Sequence, residues 1–578
     1  MNIKKQLRRR EMHHHPLSET YPQLIRQLYA SRGITKDQQL ALGTKSLCDW
    51  QALAGIEAAI QILKEALSLQ KRMMIVGDFD VDGATSTALA MMALEAMGAQ
   101  NVHFLIPNRF EEGYGLTPKT VEQVSLRGAD LIITVDNGIS SHEGVDLAHH
   151  KGMQVLITDH HLPTERLPNA DAIINPNQLN CPFPSKSLAG VGVTFYLMLG
   201  LRAHLRKEGW FHKKNIQEPN LAEFLDLVAL GTVADVVPLD TNNRILVHQG
   251  LNRIRAGKSR PGIVALLEVA SRSAHRLTAA DLGFALAPRL NAAGRLDNMS
   301  IGVSLLLTQD LSEARELAKD LDALNKVRRE IEQSMKKEAL DLCHQIECHD
   351  QPLPQGLALY HPKWHQGVVG VLASRIKDRF YRPVIAFAPT DGGQLKGSGR
   401  SVASVHMRDL LEQIDRAYPG LILKFGGHAM AAGLLIEQNK FDLFRQCFAE
   451  RVTASLKDLE LENSIWSDGE LSPDKISLET AQLLRDAGPW GQGFSEPVFD
   501  GKFRILQQRL LCGCHLKLQV EPIEGGIPLD AIAFNVDSKS WPYPLFKKVT
   551  LAYKLDINVF RQQPQLQLMI QGIWEDNG

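Results

Sequence analysis

Acidic residues follow several apolar segments of the sequence, at the points where those segments end. They stand in four motifs, at residues 77–83 (GDFDVDG), 136–138 (DNG), 159–161 (DHH) and 232–238 (TVADVVP). The carboxyl ends of parallel strands meet at one edge of an open sheet, and such sheets bind their ligands there. We therefore expect these acids and the two histidines to converge at one edge of a sheet.

Six aspartates in one place would repel one another and resist joint ionisation unless cations are bound among them. The six are Asp78, Asp80, Asp82, Asp136, Asp159 and Asp235. Carboxylate oxygens with one or two imidazoles suit Mn²⁺, Mg²⁺ or Zn²⁺. Two such ions would activate a water and stabilise the leaving oxygen of a phosphodiester. The motifs predict a two-metal centre, with Asp136 as the carboxylate that bridges the ions.

Each motif alone has a simpler interpretation. A single aspartate after a strand most often caps the next helix, and a histidine pair is usually a polar surface feature. The DFDVDG stretch also resembles a calcium loop, but Leu89 stands where that loop has its final glutamate. Cys512, Cys514 and His515 lack a second ligand pair at zinc spacing. The metal centre is favoured because the acidic motifs occur together.

Alternating strands and helices would position these motifs. Strands are predicted at residues 73–78, 101–107, 131–136, 154–159 and 172–176, with helices at 85–97, 117–127 and 141–150. This alternation is typical of right-handed βαβ units around a parallel sheet. Near-continuous apolar strands indicate a sheet that is covered on both faces.

The remainder of the chain predicts further parts. Residues 185–300 are mainly helical, and residues 311–348 contain neither Pro nor Gly, which predicts a long helix connecting two lobes. A second, smaller α/β segment spans about 355–455. Five strand-like segments near the C-terminus predict a small β-barrel, for which an OB-like fold is the leading option.

Composition excludes several classes of protein. A chain of 578 residues is too long for one core, and a hydrophobic fraction of 44% excludes wholesale disorder. The seven cysteines are scattered and odd in number, which argues against a disulfide framework and for a reducing compartment. The apolar runs are too short to span a bilayer. We expect a cytoplasmic protein with no membrane association.

The net charge of -1 gives no hint of a polyanionic partner when it is taken as a bulk figure. The six acids of the predicted centre account for part of the negative charge, however. Without them, the remaining residues carry more positive than negative charge. The charge therefore fits an acidic, metal-binding centre beside a mildly basic path for nucleic acid.

The motifs, taken in their order along the chain, resemble the DHH phosphoesterase superfamily. The match includes DFDVDG, VDNG, TDHH and TVADVVPL, and residues 424–433 (KFGGHAMAAG) resemble the glycine-rich signature of the DHH-associated domain. PNRFEEGYGL, SLAGVGV, APRLNAAGRL and LKGSGRS narrow the resemblance to bacterial single-strand-specific exonucleases that degrade DNA from the 5′ end. The resemblance covers nearly the whole chain. Val81, Phe494 and Ser495 depart from the family's usual residues without touching an expected ligand.

The resemblance implies an α/β fold in which a parallel-sheet DHH domain is linked by a long helix to a smaller α/β domain, followed by an OB-like β-barrel. It also implies a metal site between the two lobes. The expected domains are an N-terminal segment (1–50), the DHH catalytic domain (51–240), a helical region with the long helix (241–350), the DHH-associated domain (351–457) and the OB-like nucleic-acid-binding domain (458–578).

The resemblance also implies roles for individual residues. The expected ligands of two Mn²⁺ or Mg²⁺ ions are Asp78, Asp80, Asp82, Asp136, His160 and Asp235. His161 is expected to contact the scissile phosphate, with Asp136 and Arg289 as further catalytic residues, while Asp159 supports the histidines. The expected substrate-binding residues are Arg109, Arg295, Ser398, Arg400 and His428. Of these, Arg109, Ser398 and Arg400 would recognise the terminal 5′ phosphate.

The segments around Ser398 and His428 are rich in glycine, and their backbone amides would form a nest for phosphate. Two alternatives stay open. Arg289 and Arg295 would equally form structural ion pairs, and the GGHAMAAG segment would equally be a closely packed turn.

Stacking on Phe110, Tyr114 or Trp364 would hold bases without reading them. The basic residues Arg253, Arg255, Lys258 and Arg260 would line the strand's path or form a solvated helix face.

The expected activity is metal-dependent hydrolysis of single-stranded DNA in the 5′→3′ direction, releasing 5′-mononucleotides. The implied setting is recombination and repair in a bacterial cytoplasm, with a single-stranded DNA-binding protein and a repair helicase as partners and a monomeric chain. One rival is a phosphoesterase of oligoribonucleotides or cyclic dinucleotides, which needs no C-terminal barrel. The other is a non-catalytic replication scaffold, in which metal-binding acids would be lost.

Overall fold

The computed structural model describes residues 5–11, 17–348, 353–457, 461, 463–536, 548–560 and 563–575. The chain forms two compact units. The first contains Arg10–Asn325, Asp468–Ile570 and Glu575–Gly578, and the second contains Met1–Arg9, Lys326–Ser467 and Gln571–Trp574. Within the described part of the chain, every helix is too short or too polar to cross a bilayer.

The strands are β1 (Gln6–Arg9), β2 (Met73–Gly77), β3 (Val102–Leu105), β4 (Leu131–Val135), β5 (Gln154–Thr158), β6 (Ala172–Ile174), β7 (Leu357–Tyr360), β8 (Val384–Thr390), β9 (Gln394–Arg400), β10 (Lys424–Gly427), β11 (Ala431–Glu437), β12 (Ser464–Ser467), β13 (Phe499–Leu511), β14 (His515–Pro522), β15 (Leu529–Ala533), β16 (Lys548–Phe560) and β17 (Gln563–Glu575).

The α-helices are α1 (Gln23–Ala30), α2 (Ile56–Leu69), α3 (Val81–Ala96), α4 (Pro118–Leu126), α5 (His142–His150), α6 (Gly190–Lys207), α7 (Trp210–Lys214), α8 (Leu225–Ala234), α9 (Thr241–Arg255), α10 (Pro261–Val269), α11 (Ala279–Asp281), α12 (Ala287–Leu296), α13 (Ser300–Leu307), α14 (Leu311–Cys348), α15 (Val369–Phe380), α16 (Met407–Ala417), α17 (Phe441–Ser455) and α18 (Leu478–Asp486).

A five-stranded sheet forms the centre of the first unit, with its strands in the order β3-β2-β4-β5-β6. All neighbouring strands are parallel. Every residue of β2 and β4 is buried, as expected for a sheet covered on both faces. The prediction of a parallel α/β domain is confirmed. The strand order places the ends of β2, β4 and β5 side by side, and these are the strands that precede the acidic motifs.

The C-terminal strands close into a barrel in the order β13-β14-β15-β17-β16. Strand β13 is antiparallel to β14 and β16, whereas β15 and β17 are parallel. Alternate residues of β14 are buried, among them Leu516, Leu518 and Val520, because successive side chains of a strand point to opposite faces. The prediction of a small C-terminal barrel is confirmed.

The first unit is discontinuous in sequence, because the segment leading into the barrel packs on helices from the first half of the chain. The Arg32 guanidinium forms a two-pronged ion pair with Asp468, and both side chains are almost fully buried. The Tyr29 hydroxyl donates to the Ala487 carbonyl over 2.9 Å. The Arg244 guanidinium lies 4.3 Å from the centre of the Phe494 ring. These contacts join residues that are far apart in the sequence.

The second unit is built on a mixed sheet in the order β10-β11-β9-β8-β7, covered by helices whose apolar faces form its core. Its helix α14 (Leu311–Cys348) begins in the first unit and matches the long helix that was predicted. Strands β9, β10 and β11 were not predicted. The Gly397 and Gly399 positions lie on the buried side of β9, where a Cβ at Gly397 would come close to the Phe387 ring.

The backbone of β9 pairs with β8 on one side and with β11 on the other. Its amides are therefore engaged in the sheet, and the expected backbone nest for phosphate around Ser398 is wrong. The expected tight turn near His428 is present, since its amide donates to the Ala431 carbonyl over 2.7 Å between β10 and β11. Gly427 has φ 138°, a conformation that a side chain would strain.

Candidate metal centre

The first acidic motif follows β2 and opens helix α3. Asp80 is the N-cap of α3, and its Oδ1 accepts hydrogen bonds from the amides of Asp82 and Gly83 over 2.9 and 3.1 Å. Capping and metal binding are compatible, because a carboxylate has a second oxygen. Gly83 lies so close to the Asp78 backbone that a Cβ there would overlap it. The glycine of DFDVDG is therefore required by the close approach of helix and strand end.

Asp82 is fully buried at the start of α3. Its carboxylate accepts hydrogen bonds from the amides of Gly190 and Val191, the first residues of α6, over 2.6 and 2.9 Å. Burial, and then the charge of Asp80, raise the pKa of Asp82 to about 7. Ionising this carboxyl group is therefore unfavourable without a nearby cation.

Asp136 follows β4 and is also buried. Its φ angle is 62°, in the left-handed region that aspartate and asparagine tolerate better than most residues. Its amide donates to the Thr158 carbonyl at the end of the neighbouring strand. The next side chain, Asn137, donates to the carbonyls of Val76 and Val135 over 3.0 and 2.9 Å. These bonds fix the ends of β2 and β4 relative to each other.

Asp159 holds the two histidines in place through hydrogen bonds. Its Oδ1 accepts from the amides of His160 and His161 and lies 2.7 Å from His161 Nδ1, and its Oδ2 accepts from the Ile139 amide. Burial alone would raise the pKa of Asp159, but the hydrogen bond and charge of His161 outweigh it and lower that pKa. Burial alone would lower the pKa of His161, but the hydrogen bond and the charge of Asp159 outweigh that effect and raise the pKa of His161 to about 9.

Asp235 reaches the same place from the end of helix α8. It is the C-cap residue of α8, and Val236 after it has φ 61°, which is strained for a β-branched side chain. His160 Nε2 lies 3.0 Å from Asp136 Oδ1, 3.5 Å from Asp235 Oδ2 and 3.8 Å from Asp82 Oδ2. His160 therefore stands at the middle of three carboxylates from three different elements.

The ligand atoms fall into overlapping groups in which all atoms lie within 4.8 Å of one another. The groups are Asp78, Asp80 and Asp136; Asp82, His160 and Asp235; and Asp136, His160 and His161. The structure thus brings together six of the predicted metal-binding residues, with His161 beside them. Asp136 belongs to two groups, which is the placement that a bridging carboxylate requires.

The chemistry of these groups fits divalent cations. Asp78 Oδ1, Asp136 Oδ1 and Asp235 Oδ2 are buried and accept no well-aligned hydrogen bond within the described residues, although His160 Nε2 lies 3.0 Å from Asp136 Oδ1. Burial and the neighbouring carboxylates raise the pKa of Asp78, Asp136 and Asp235 well above the ordinary range. Buried oxygens without donors are costly unless a cation coordinates them. Oxygen ligands with an imidazole suit Mn²⁺ or Mg²⁺.

Two further side chains border the acids. The Tyr114 hydroxyl lies 3.2 Å from His161 Nδ1 and 3.3 Å from the Asp136 carbonyl, and its ring packs edge-on against Phe79. The Arg109 guanidinium lies 4.4 Å from the centre of the Phe79 ring and donates to the Gly294 carbonyl. Burial lowers the pKa of Arg109, and the charges of Asp78 and Asp80 oppose that effect. Arg109 is thus a cation beside the acids.

The remaining predicted site residues are Arg289, Arg295, Ser398, Arg400 and His428. The Arg289 guanidinium pairs with Asp322 over 2.9 Å and donates to the Ala285 carbonyl, which is the structural interpretation left open above. Arg295 lies in the last turn of α12. Ser398, Arg400 and His428 belong to the second unit, where the Arg400 guanidinium donates to Ser398 Oγ over 3.1 Å. A Cβ at Gly370 would lie 3.0 Å from both side chains.

The start of α6 has no predicted role in the site. Gly190 and Val191 hold the Asp82 carboxylate, and a Cβ at Gly190 would come within 2.6 Å of Asp136 Cβ. The signal was present as the small residues of SLAGVGV (187–193), because glycine at a helix start allows close approach to a neighbouring side chain.

A buried cluster of carboxylates and imidazoles at the carboxyl edge of a parallel sheet is the kind of site that a metal-dependent phosphoesterase requires. The family models that match are the DHH family N-terminal domain (72–232), the DHHA1 domain (354–454) and the RecJ OB domain (467–572). The single-stranded-DNA-specific exonuclease RecJ of Dickeya dadantii is 61% identical over 99% of this chain and 100% of its own. The chain belongs to the RecJ family of single-stranded-DNA-specific exonucleases.

Solved structures agree with this assignment. A crystal structure of RecJ in complex with Mn²⁺ from Thermus thermophilus matches with a TM-score of 0.77 and 28% identity, over 96% of this chain and 76% of that one. The same protein in complex with Mg²⁺ matches with a TM-score of 0.72 and 27% identity, over 96% and 75% of the two chains. The prediction of a DHH enzyme that uses Mn²⁺ or Mg²⁺ is confirmed at the level of the family.

The raised carboxyl pKa values make the stability of the metal-free protein depend on pH. The ordinary pKa of Asp82 is 3.8 and its folded value is about 7, so the folded protein holds this proton more tightly than the unfolded chain does. The contribution of the protonated Asp82 carboxyl group to the free energy of unfolding is therefore complete below pH 4 and is lost as the pH rises through 7. Within that range the free energy of unfolding falls by at most about 1.4 kcal/mol per pH unit for this group.

Thermal unfolding of the metal-free protein between pH 4 and 8, with and without Mn²⁺, measures this dependence. We expect Mn²⁺ to stabilise the protein more strongly as the pH rises, because coordination requires ionised carboxylates. In an Asp82→Asn variant, the stability of the metal-free protein should fall less steeply as the pH rises. A stabilisation by Mn²⁺ that is equal at pH 5 and pH 8 would contradict the assignment of these carboxylates as ligands.

Proposed function

We propose that the protein is a metal-dependent exonuclease that degrades single-stranded DNA from its 5′ end and releases 5′-mononucleotides. One observation carries the proposal, namely the overlapping groups of ligand atoms that share Asp136 and His160. Membership of the RecJ family and the Mn²⁺ and Mg²⁺ complexes of the Thermus thermophilus relative support the same activity.

In this proposal, two Mn²⁺ or Mg²⁺ ions are held by Asp78, Asp80, Asp82, Asp136, His160 and Asp235. When bound, the ions lower the pKa of a water and neutralise charge on the phosphodiester. The chain supplies the rest. Asp136 belongs to two of the three groups of ligand atoms. Asp159 fixes the orientation of His161, and the amides at the start of α6 orient the Asp82 carboxylate.

His161 is proposed to act on the substrate. Its pKa of about 9 keeps the imidazole protonated at neutral pH, and about a third of its side chain is exposed. The Asp159 carboxylate holds Nδ1, so Nε2 is the atom that donates a hydrogen bond to a phosphate oxygen. Tyr114 lies within hydrogen-bond distance of the same ring and limits its rotation.

Basic and hydroxyl-bearing side chains are proposed to bind the phosphates. In the first unit these are Arg109, which borders Asp78 and Asp80, and Arg295. In the second unit they are Arg400 with Ser398, and His428. A guanidinium group grips phosphate oxygens through two parallel hydrogen bonds. Arg289 is proposed to contribute indirectly, by holding α12 in place, because its guanidinium is already paired with Asp322.

The closed barrel of β13–β17 is proposed to extend the DNA-binding surface, as OB-like barrels bind single strands. We also propose work in DNA recombination and repair, including mismatch repair, as a monomer in a bacterial cytoplasm. A single-stranded DNA-binding protein and a repair helicase are the proposed partners. The free thiols of Cys48, Cys181, Cys447, Cys512 and Cys514 agree with a reducing compartment.

A digestion assay tests the proposed function. Single- and double-stranded DNA of equal length, labelled at either end, is incubated with each divalent cation, and the products are mapped over time. We expect Mn²⁺- or Mg²⁺-dependent loss of the 5′ label as mononucleotide from the single strand, with the duplex largely resistant. Faster cleavage of a dinucleotide than of the long strand would instead favour the small-substrate phosphoesterase.

A further inference from the structure

A buried asparagine joins two of the segments that form the candidate metal centre. Asn243 lies in the first turn of α9, and none of its side chain is exposed. Its Nδ2 donates to the Ser187 carbonyl over 2.6 Å and to the Pro238 carbonyl over 2.9 Å. One amide group, with its two N–H bonds, therefore bridges two main-chain segments that are well separated in the sequence.

Each bridged segment leads directly to a candidate ligand. Ser187 lies just before α6, whose first amides, at Gly190 and Val191, hold the Asp82 carboxylate. A Cβ at Gly190 would also meet Asp136. The position of the 187–191 segment thus sets where two of the acids stand.

The other segment carries Asp235. Between Asp235 and Pro238 the backbone passes through Val236, whose positive φ is unfavourable for a β-branched residue and persists only where surrounding contacts enforce it. Three contacts do so after the turn. Asn243 binds the Pro238 carbonyl, the Leu239 amide donates to the Gln492 carbonyl over 2.7 Å, and Asp240 caps α9 through the Asn243 amide.

We propose that Asn243 is a positioning residue for the metal centre, which holds the Asp235 turn and the start of α6 at the separation that metal binding requires. Asn243 touches neither an ion nor DNA in this proposal. It acts through the backbone, and it supports Asp235 on one side and Asp82 and Asp136 on the other, beside the hydrogen bond from Ser185 Oγ to Asp240 Oδ2 over 2.6 Å. The inference rests on the proposed metal centre and deepens it.

The neighbouring residue provides a matched control. Asn242 is also buried in the first turn of α9, but its Oδ1 accepts from the Tyr196 hydroxyl and the Cys48 amide, over 2.7 and 3.1 Å. Asn242→Ala and Asn243→Ala each remove one buried amide from adjacent positions. Asn243→Ala removes the hydrogen bonds to Ser187 and Pro238, whereas Asn242→Ala removes a contact with Tyr196, which lies further along α6.

The test measures Mn²⁺ binding by the metal-free full-length protein, without DNA, from the electron paramagnetic resonance signal of free Mn²⁺. We expect Asn243→Ala to raise the Kd for Mn²⁺ by about tenfold or more, as removal of groups that orient metal ligands generally does. Asn242→Ala should leave the Kd unchanged. Urea unfolding measures the stability of both variants. If Asn243 were only structural, its replacement would lower the stability and leave the Kd for Mn²⁺ unchanged.

Asn243→Ser serves if the alanine variant does not fold. A serine hydroxyl carries one donor and cannot bridge two carbonyls, so the Kd should still rise. Unchanged Kd values in the folded Asn243 variants, or equal increases in the variants of both asparagines, would overturn the proposal. A parent protein that binds no Mn²⁺ would overturn the proposed function itself, which makes the two failures distinguishable.

Discussion

Replacing Asp136 with asparagine is expected to lower kcat for single-stranded DNA by at least about a thousandfold. A metal centre contributes several kcal/mol of transition-state stabilisation, and each 1.4 kcal/mol corresponds to about a factor of ten in rate. Asp136 is the one carboxylate that belongs to two of the three groups of candidate ligand atoms, and His160, which lies beside it, belongs to the third. Loss of Asp136 therefore affects both proposed ions rather than one.

Asparagine is the informative substitution at this position. The φ angle of 62° is tolerated by asparagine but costs alanine about 1 kcal/mol or more, so Asp136→Ala would mix backbone strain with loss of the carboxylate. Because burial and the charges of Asp82 and Asp80 oppose ionisation of Asp136, the neutral amide should make the metal-free protein more stable. The stabilisation by Mn²⁺ should largely disappear.

The measurements are single-turnover digestion of 5′-phosphorylated single strands and thermal unfolding with and without Mn²⁺. Asp130→Asn is the matched control, because Asp130 directly precedes the same strand at its opposite end, where its carboxylate accepts from the Arg72 amide. A variant at position 136 that degrades single strands as fast as the parent would refute the proposed centre.

Replacing His161 with glutamine is expected to lower kcat by a factor of about 10² to 10⁴, the usual range for a group that transfers or shares a proton in the transition state. Mn²⁺ affinity should stay close to that of the parent, because the His161 ring is held by Asp159 and Tyr114, neither of which is a proposed metal ligand. His160→Gln should instead weaken Mn²⁺ binding strongly, because His160 lies among Asp82, Asp136 and Asp235.

The pH profile separates these roles further. Burial lowers the pKa of His161 and Asp159 raises it, to about 9 in the metal-free protein. Cations among the neighbouring acids oppose the imidazolium charge, so the parent's rate with Mg²⁺ should fall as the pH rises towards about 9. The His161→Gln variant should lack this alkaline decline. Equal loss of Mn²⁺ affinity in the His160 and His161 variants would show that both imidazoles are ligands and that the proposed division of labour is wrong.

The parallel sheet and the grouping of the acids could be predicted because both follow from short-range patterns. Apolar runs such as residues 73–76 and 131–135 have one stable environment, the centre of a covered sheet, and the motifs at their ends then fall at one edge. The barrel was predictable for a similar reason, since β13, β14, β16 and β17 are 8 to 13 residues long and contain many β-forming residues.

Glycine-rich and main-chain features could not be predicted in the same way. Strands β9 and β10 contain KGSGR and KFGG, which favour turns by local propensity, and only the packing of Gly397 against Phe387 explains why strand β9 needs glycine there. The strain at Val236 and the bridge made by Asn243 depend on segments that are distant in sequence. A residue that acts by donating to two carbonyls has no motif of its own.

The discontinuity of the first compact unit has a consequence for the growing polypeptide. Residues 10–325 are synthesised well before residues 468–570, which complete the same unit through contacts such as Arg32 with Asp468 and Leu239 with Gln492. Chains emerge N-terminal end first, so these surfaces of the nascent chain stay exposed to water while the intervening segment is made. A chain that stops after residue 467 would contain every acid of the metal centre without the strands that complete its domain. Such a fragment is expected to expose apolar surface and to engage chaperones.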